Sequence, residues 1–245
     1  MALINRQTLT NYFQKGGFAT EKHFVDLIDS SLNIVDDGIS INQKQGLKLN
    51  PLGGSSRLMS FFKKATQKES DFSVHMGHDT IEGLSINAKE GAPLMKFDDK
   101  QQIGVHTNEP KFDFDVRGVL GVESKIGSYA VGAVDGDGNW QTIVSNLDGI
   151  NGFELVASIR GKKGSGRYAL AHAIALSAFG GRSSRNKIKC THAYYGNFFN
   201  KLSFRWVGEM DNYELQVRTR RHYGVNEADG QPYKIKFNLS RFFSE

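Results

Sequence analysis

IGVHTNEPKFDFDVRGVL, residues 103–120, carries apolar side chains at every second position on both sides of a polar break. Ile103 and Val105 alternate, Thr107-Asn108-Glu109-Pro110 interrupts, and Phe112, Phe114 and Val116 alternate again up to Gly118. Period two places such side chains on one face of a strand, and a proline-containing polar break between two runs is a turn. The stretch predicts strand, turn, strand. Runs before it are short and runs after it are long, which makes it the joint between two modules. The glycines at 104, 118 and 121 allow close chain approach there.

On the N-terminal side, Ile39/Ile41, Leu47/Leu49, Phe72/Val74/Met76, Leu84/Ile86 and Leu94 with Lys96 read as short strands. Asn50-Pro51-Leu52-Gly53-Gly54, Gly77-His78-Asp79 and Lys89-Glu90-Gly91 supply turn chemistry between them. Strands this short suit a sheet assembled between chains. Before them the pattern is helical. Thr8 is expected to cap a short turn through Phe13, and Thr20 a second helix with Glu21 in its first turn. Phe24, Leu27, Ile28, Leu32 and Val35 fall on one face of that helix, which Asp36-Asp37-Gly38 ends. So short an amphipathic helix needs a partner for its apolar face, so docking or oligomerisation is expected.

On the C-terminal side, Phe153/Leu155/Ala157/Ile159, Ile188/Cys190/His192/Tyr194, Leu202/Phe204/Trp206, Tyr213/Leu215/Val217 and Tyr233/Ile235/Phe237/Leu239 alternate over longer spans. Such strands predict an antiparallel β-sandwich. Tyr168 to Phe179 is rich in alanine, as a helix would be, yet Tyr168, Leu170, His172, Ile174 and Leu176 alternate with Ala169, Ala171, Ala173 and Ala175. One large and one small face predict a central strand covered on its alanine side. The domains are therefore a helical segment 1–38, a thin intertwined β shaft or collar 39–120 and a sandwich head 121–245.

Composition agrees with a mainly β protein: 27 Gly and 17 Phe against 4 Pro suit many turns better than a bundle. No apolar run approaches the roughly 20 residues of a membrane-spanning helix, and the N-terminus lacks a secretory apolar region, so synthesis in the cytoplasm is expected. Lys plus Arg against Asp plus Glu is 14 to 15 up to residue 120 and 17 to 11 beyond it, a net −1 and +6. Eight basic residues and no acid lie between Arg160 and Lys189. That run, with Arg182, Arg185 and Lys187, is either a solvated rim or a surface for phosphate or carboxylate groups. Nucleic acid is not the expected partner.

The chemistry of catalysis and metal binding is thin. Asp135-Gly-Asp137-Gly-Asn139 starts like a calcium loop, but Trp140 holds the glycine position and Asn146 the place of the bidentate Glu, so a hairpin turn is expected. Gly161-Lys-Lys-Gly-Ser-Gly-Arg167 lacks the lysine and hydroxyl of a phosphate loop. His75 and His78, and His172 and His192 among core positions, have no third metal donor. Cys190, the only cysteine, reads as a small buried apolar residue. No catalytic residue, metal or cofactor is expected. Tyr194, Tyr195, Phe198 and Phe199, followed by Trp206, are the candidate recognition aromatics; core packing or a subunit interface is the alternative. Arg218 and Arg220 near a strand end could bind an acidic group or form salt links across a trimer.

The string Ile-Gly-Val-x-Thr-Asn-x-Pro followed by Phe-x-Phe-Asp-Val-x-Gly-x-Leu resembles the GIGT-x-x-P-x-x-x-L-D-V-x-G segment of phage tail-fibre and related trimeric fibre proteins. TLTNYFQKGGFATEKHFVDLIDS, residues 8–30, and the long C-terminal part are similar to fibre-like proteins of phage-type contractile injection particles. The resemblance implies a homotrimer at a shaft–head junction, held by Phe24, Leu27, Ile28, Leu32, Ile103, Val105, Phe112, Phe114 and Val116. It implies a structural and adhesive role, fibre-like or surrounding the baseplate of the particle. Its partners would be neighbouring particle or baseplate proteins or a target surface, a surface glycan among them. A free glycan-binding module or a glycan depolymerase is the alternative.

Overall fold

The computed structural model describes residues 4–33, 36–77, 83–89, 93–181 and 183–243. With 44% of residues in strands and 8% in helices, the mainly β reading holds. No helix among the described residues is long and apolar enough to cross a membrane. The chain divides into two units, Met1–Gly121 and Val122–Glu245.

In the first unit, α1 (Arg6–Tyr12) and α2 (Glu21–Asp29) come first. Asn5, not Thr8, caps α1: its Oδ1 accepts the Thr8 N–H at 2.9 Å. Thr20 caps α2 as expected, and its N–H donates to Nδ1 of His23 at 3.3 Å. Tyr12 stacks on His23 at 4.0 Å and Phe13 meets Phe24 at 5.6 Å. The second helix is shorter than its apolar period suggests. The Ser30 and Ser31 hydroxyls donate to the Asp26 and Leu27 carbonyls, closing the last turn by back-bonding. Leu32 thus lies past the helix, and Val35 lies outside the described residues.

The strands β1 (Ile39–Asn42) and β2 (Gly46–Leu49) form an antiparallel hairpin. Six strands then make one sheet in sequence order: β3 (Arg57–Phe61), β4 (Phe72–Met76), β5 (Leu84–Ala88), β6 (Met95–Phe97), β7 (Ile103–Val105) and β8 (Phe114–Val116). Leu94, expected in a strand with Lys96, falls just before β6.

Register decides which side chains share a face. Met59 and Phe61 pair with Val74 and Phe72, Val74 with Ile86, Ile86 with Met95, Met95 with Val105, and Val105 with Val116. Phe72 with Ala88, Met76 with Leu84, Leu84 with Phe97, Phe97 with Ile103, and Ile103 with Phe114 complete the same face. Paired residues point to the same side of a sheet, so this face is apolar at every paired position. The other face carries Ser60, Ser73, His75, Ser85, Asn87, Lys96, Gly104 and Asp115. On that side His75 lies 3.0 Å from Ser56 and 2.9 Å from Ser73, and burial pulls its pKa below the usual histidine value. His78, its supposed companion, lies outside the described residues.

The stretch 103–120 departs from strand, turn, strand in two ways. β7 and β8 run parallel, and Phe112 is outside β8, in the crossing loop and 69% exposed. The loop turns back over the polar face. Thr107 folds onto Gly104, where a Cβ would lie 2.8 Å from the threonine methyl, and Lys96 Nζ donates to the Asn108 carbonyl at 2.7 Å. Asp115, buried, accepts the Lys111 N–H at 3.0 Å. The crossing uses the polar side, and among the described residues the apolar side is partly exposed: Phe72, Phe97 and Phe114 are exposed, while Val74, Ile86 and Val105 are half-buried.

The second unit contains β9 (Ala130–Asp135), β10 (Gln141–Leu147), β11 (Ile150–Arg160), β12 (Tyr168–Ala178), β13 (Lys187–Tyr194), a single 3₁₀ turn Phe198–Asn200, β14 (Leu202–Gly208), β15 (Tyr213–Thr219) and β16 (Lys234–Arg241). They form a five-stranded sheet, β13-β12-β11-β16-β9, and a three-stranded sheet, β10-β15-β14, both antiparallel. One core draws on both: Phe153, Leu155, Ile159, Ile235 and Leu239 from the first with Leu202, Leu215 and Val217 from the second. Tyr213 ties the ends together, its buried hydroxyl donating to the Gly149 carbonyl at 2.9 Å and accepting from Asn151 at 2.6 Å.

β12 is the expected alanine strand. Ala169, Ala171, Ala173 and Ala175 are buried, while Leu170, His172, Ile174 and Leu176 face outward. His172 is therefore not a core residue; it faces Glu154 at 3.0 Å. The turn Asp135–Asn139 is no hairpin either, since β9 and β10 belong to different sheets and the turn is a corner between them. Gly136 permits the corner: a Cβ there would sit 2.1 Å from Cδ1 of Ile159. Asp137 spends its oxygens on Asn139 and Gln141.

Candidate functional site

The sequence candidates separate in space. Trp206 lies on the inner side of β14, its ring 6.3 Å from Phe153 and 5.5 Å from Tyr213, and belongs to core packing. Tyr194, Tyr195, Phe198 and Phe199 are exposed, Tyr195 to 67%. Arg185 and Lys187 sit at the opposite end of β13 from Tyr194, about 20 Å away at strand rise. Arg182 lies outside the described residues. Arg218 and Arg220 alternate with the buried Val217 and Thr219, so they point away from the core on the outer face of the three-stranded sheet. In the first unit, Ile103, Val105, Phe114 and Val116 share the apolar sheet face, and Phe24, Leu27 and Ile28 are exposed on α2.

The aromatic loop is held from below. Asn200 is fully buried and its Nδ2 donates to the Tyr195 carbonyl at 2.6 Å and the Gly166 carbonyl at 3.0 Å, while the Tyr223 hydroxyl donates to the Asn200 carbonyl. Asn197 Oδ1 accepts the Phe199 N–H at 2.9 Å and caps the 3₁₀ turn. The loop is therefore a fixed platform with its rings exposed.

Cations are stacked beside it. The Arg205 and Arg218 guanidinium groups lie 4.3 and 4.4 Å from the Trp140 ring centre. Arg220 lies 4.5 Å from the Phe198 ring, and Lys201 reaches Phe198 at 4.8 Å and Tyr194 at 5.0 Å. Between them, Arg205 Nε donates to Gln216 at 2.8 Å and Arg220 Nε to Ser203 at 3.3 Å. Trp140, Arg205 and Lys201 were not singled out from sequence. The alternation of Ser203 and Arg205 with Leu202, Phe204 and Trp206 does mark the two as outward-facing, but only the sheet pairing brings Trp140 alongside.

Cys190 is half-buried rather than fully buried, because it lies on the edge strand β13. Burial pushes its thiol up to about 11, and burial with Lys201 and Arg220 holds the neighbouring His192 below its ordinary value. The pair, 3.6 Å apart, is a neutral thiol beside a neutral ring, the reverse of a thiolate–imidazolium nucleophile. Alkylation by iodoacetamide at pH 8 is expected to run on the order of 100-fold slower than for an ordinary free cysteine thiol. Full labelling within minutes would contradict this.

Among the described residues no group of three or more His, Cys, Asp or Glu side chains could hold a metal ion. The arrangement offers exposed rings, fixed guanidinium groups and, in the first unit, a partly exposed apolar sheet face. A scan against protein-family models finds no match for the chain, and a search of curated proteins finds none either.

Proposed function

We propose that the chain is a structural and adhesive protein that works as a homotrimer, fibre-like or surrounding the baseplate of a phage-tail-like contractile injection particle. The observation that carries the trimer is the apolar face of the six-stranded sheet. Met59, Phe61, Phe72, Met76, Phe97 and Phe114 on it are 37 to 54% exposed, and no Ile, Leu, Val, Met or aromatic side chain among the described residues of the first unit is buried. A sheet with one wholly apolar face needs a cover, and the exposed α2 face needs one too. Covering the exposed part of six such side chains is worth on the order of 4–8 kcal/mol per chain, comparable with the whole stability of a small domain. Three copies turning this face inward would form the shaft or collar. The two sheets of the second unit then make a β-sandwich head that meets neighbouring subunits or a target surface. The particle itself enters through the likeness of residues 103–120 to tail-fibre segments, and no residue is assigned a catalytic role.

Light scattering on the full chain tests the assembly: a particle of about three times the 27.2 kDa chain mass is expected, and deletion of residues 103–120 should abolish it. A stable monomer of the intact chain overturns it. For the particle, an epitope-tagged chain should co-sediment with sheath-bearing particles from the producing cell; recovery of all the tag in particle-free fractions overturns that part.

A further inference from the structure

We propose that the outer face of the three-stranded sheet in the second unit binds a carboxylate-bearing polysaccharide, which Arg205 and Arg218, fixed on Trp140, and Arg220, fixed on Phe198, would grip in successive rows. This rests on the adhesive part of the reading above and names its ligand chemistry.

The first argument is charge without counter-charge. Arg205, Arg218, Arg220 and Lys201 make none of the ion pairs found among the described residues. Glu214, the acid of that face, instead accepts from Thr142 at 3.1 Å and from Gln216. Like charges kept together with no carboxylate between them raise the local concentration of anions.

The second is pre-organisation. A guanidinium stacked on an aromatic ring has its plane fixed, and with Nε of Arg205 and Arg220 held by Gln216 and Ser203 it is the terminal N–H groups that are left to match a carboxylate in bidentate fashion. The ordering cost of a long side chain has then already been met before the ligand arrives.

The third is spacing. Arg218 and Arg220 lie two residues apart on one line of outward side chains, about 7 Å along the strand direction, and Arg205 lies one row the other way, paired with Gln216. Rows of cations at that interval suit charge repeated along a chain. Ser203, Gln216 and Thr142 stand between them and hold the rows in place, Ser203 accepting from Arg220 and Gln216 joining Arg205 to Thr142 and Glu214. A single-stranded nucleic acid would ask for a row of free aromatic faces on which bases stack; here cations already sit on Trp140 and Phe198. At the end of the line Phe199, exposed and edge-on to Phe198 at 5.8 Å, can take an apolar sugar face.

The test titrates the full chain with polygalacturonate, neutral dextran and a thymidine oligonucleotide. Polygalacturonate should bind, more weakly in 200 mM than in 50 mM salt, and dextran should not. Arg205→Gln and Arg218→Gln should each weaken binding at least tenfold. Trp140→Leu, which keeps the charge, should weaken it as well. The control Lys189→Gln with Lys236→Gln removes two charges from the outer face of the other sheet and should leave binding within twofold. Absence of polygalacturonate binding, tighter oligonucleotide binding, or equal loss in the control overturns the proposal. Light scattering on the same samples keeps the two readings apart: a monomer that binds refutes the trimer alone, and a trimer that binds no polyuronate refutes this site alone.

Discussion

Ile86→Asp in the full chain is expected to turn the proposed trimer into a monomer. Ile86 is central to the apolar sheet face, paired with Val74 on one side and Met95 on the other. If that face closes against two other copies, the carboxylate enters an apolar interface with no partner, at a cost of about 3–5 kcal/mol per chain. Three such sites per assembly leave nothing to hold it. Ser85→Asp, one residue away and on the polar face, should leave the mass unchanged. Light scattering on the two variants decides the matter, and an intact Ile86→Asp trimer would show that something else covers the face. Both tryptophans, Trp140 and Trp206, belong to the second unit. Their fluorescence should therefore stay native in the Ile86→Asp monomer and separate dissociation from global unfolding.

Phe153→Ala should destabilise the second unit by about 3–5 kcal/mol. The ring is completely buried and meets Tyr129 at 5.1 Å and Trp206 at 6.3 Å, joining the two sheets at one point. Urea unfolding followed by tryptophan fluorescence reads this unit alone, and the midpoint should fall steeply. Ile174→Thr, on the outward side of the neighbouring strand β12, should move it by no more than about 0.5 kcal/mol. Equal shifts for the two would mean that the outward face of β12 is also covered.

These contrasts follow the parts of the fold that were legible in the sequence. β12 could be read because Ala169, Ala171, Ala173 and Ala175 keep a strict period of two that no helix needs. What escaped reading has local causes. β3 shows Leu58 and Met59 side by side, and its register slips between Arg57 and Met59. β10 carries two such irregularities, which erase its period, and β9 has Gly132 where the Phe237 ring lies against it. A bulge hides a strand from any count of alternation. The helix boundary failed at Ser30 and Ser31, whose hydroxyls compete for the terminal carbonyls where the apolar period still runs on. As for the site, exposed rings and cations were visible as residue types, but Trp140 meets Arg218 only because β10 pairs with β15, a contact across more than 70 residues with no local trace.

The parallel pairing of β7 and β8 has a consequence for how the first unit could be built into something larger. Five strands that reverse in turn would carry the chain from one end of the sheet to the other by β7, and an antiparallel β8 would bring it home again. With β8 running the same way as β7, the chain enters at one end of the strands and leaves at the other. The sheet is a through-route. Three copies gathered about an axis along the strands would all receive the chain at one end and release it at the other, with no segment of any copy having to run back along the sheet.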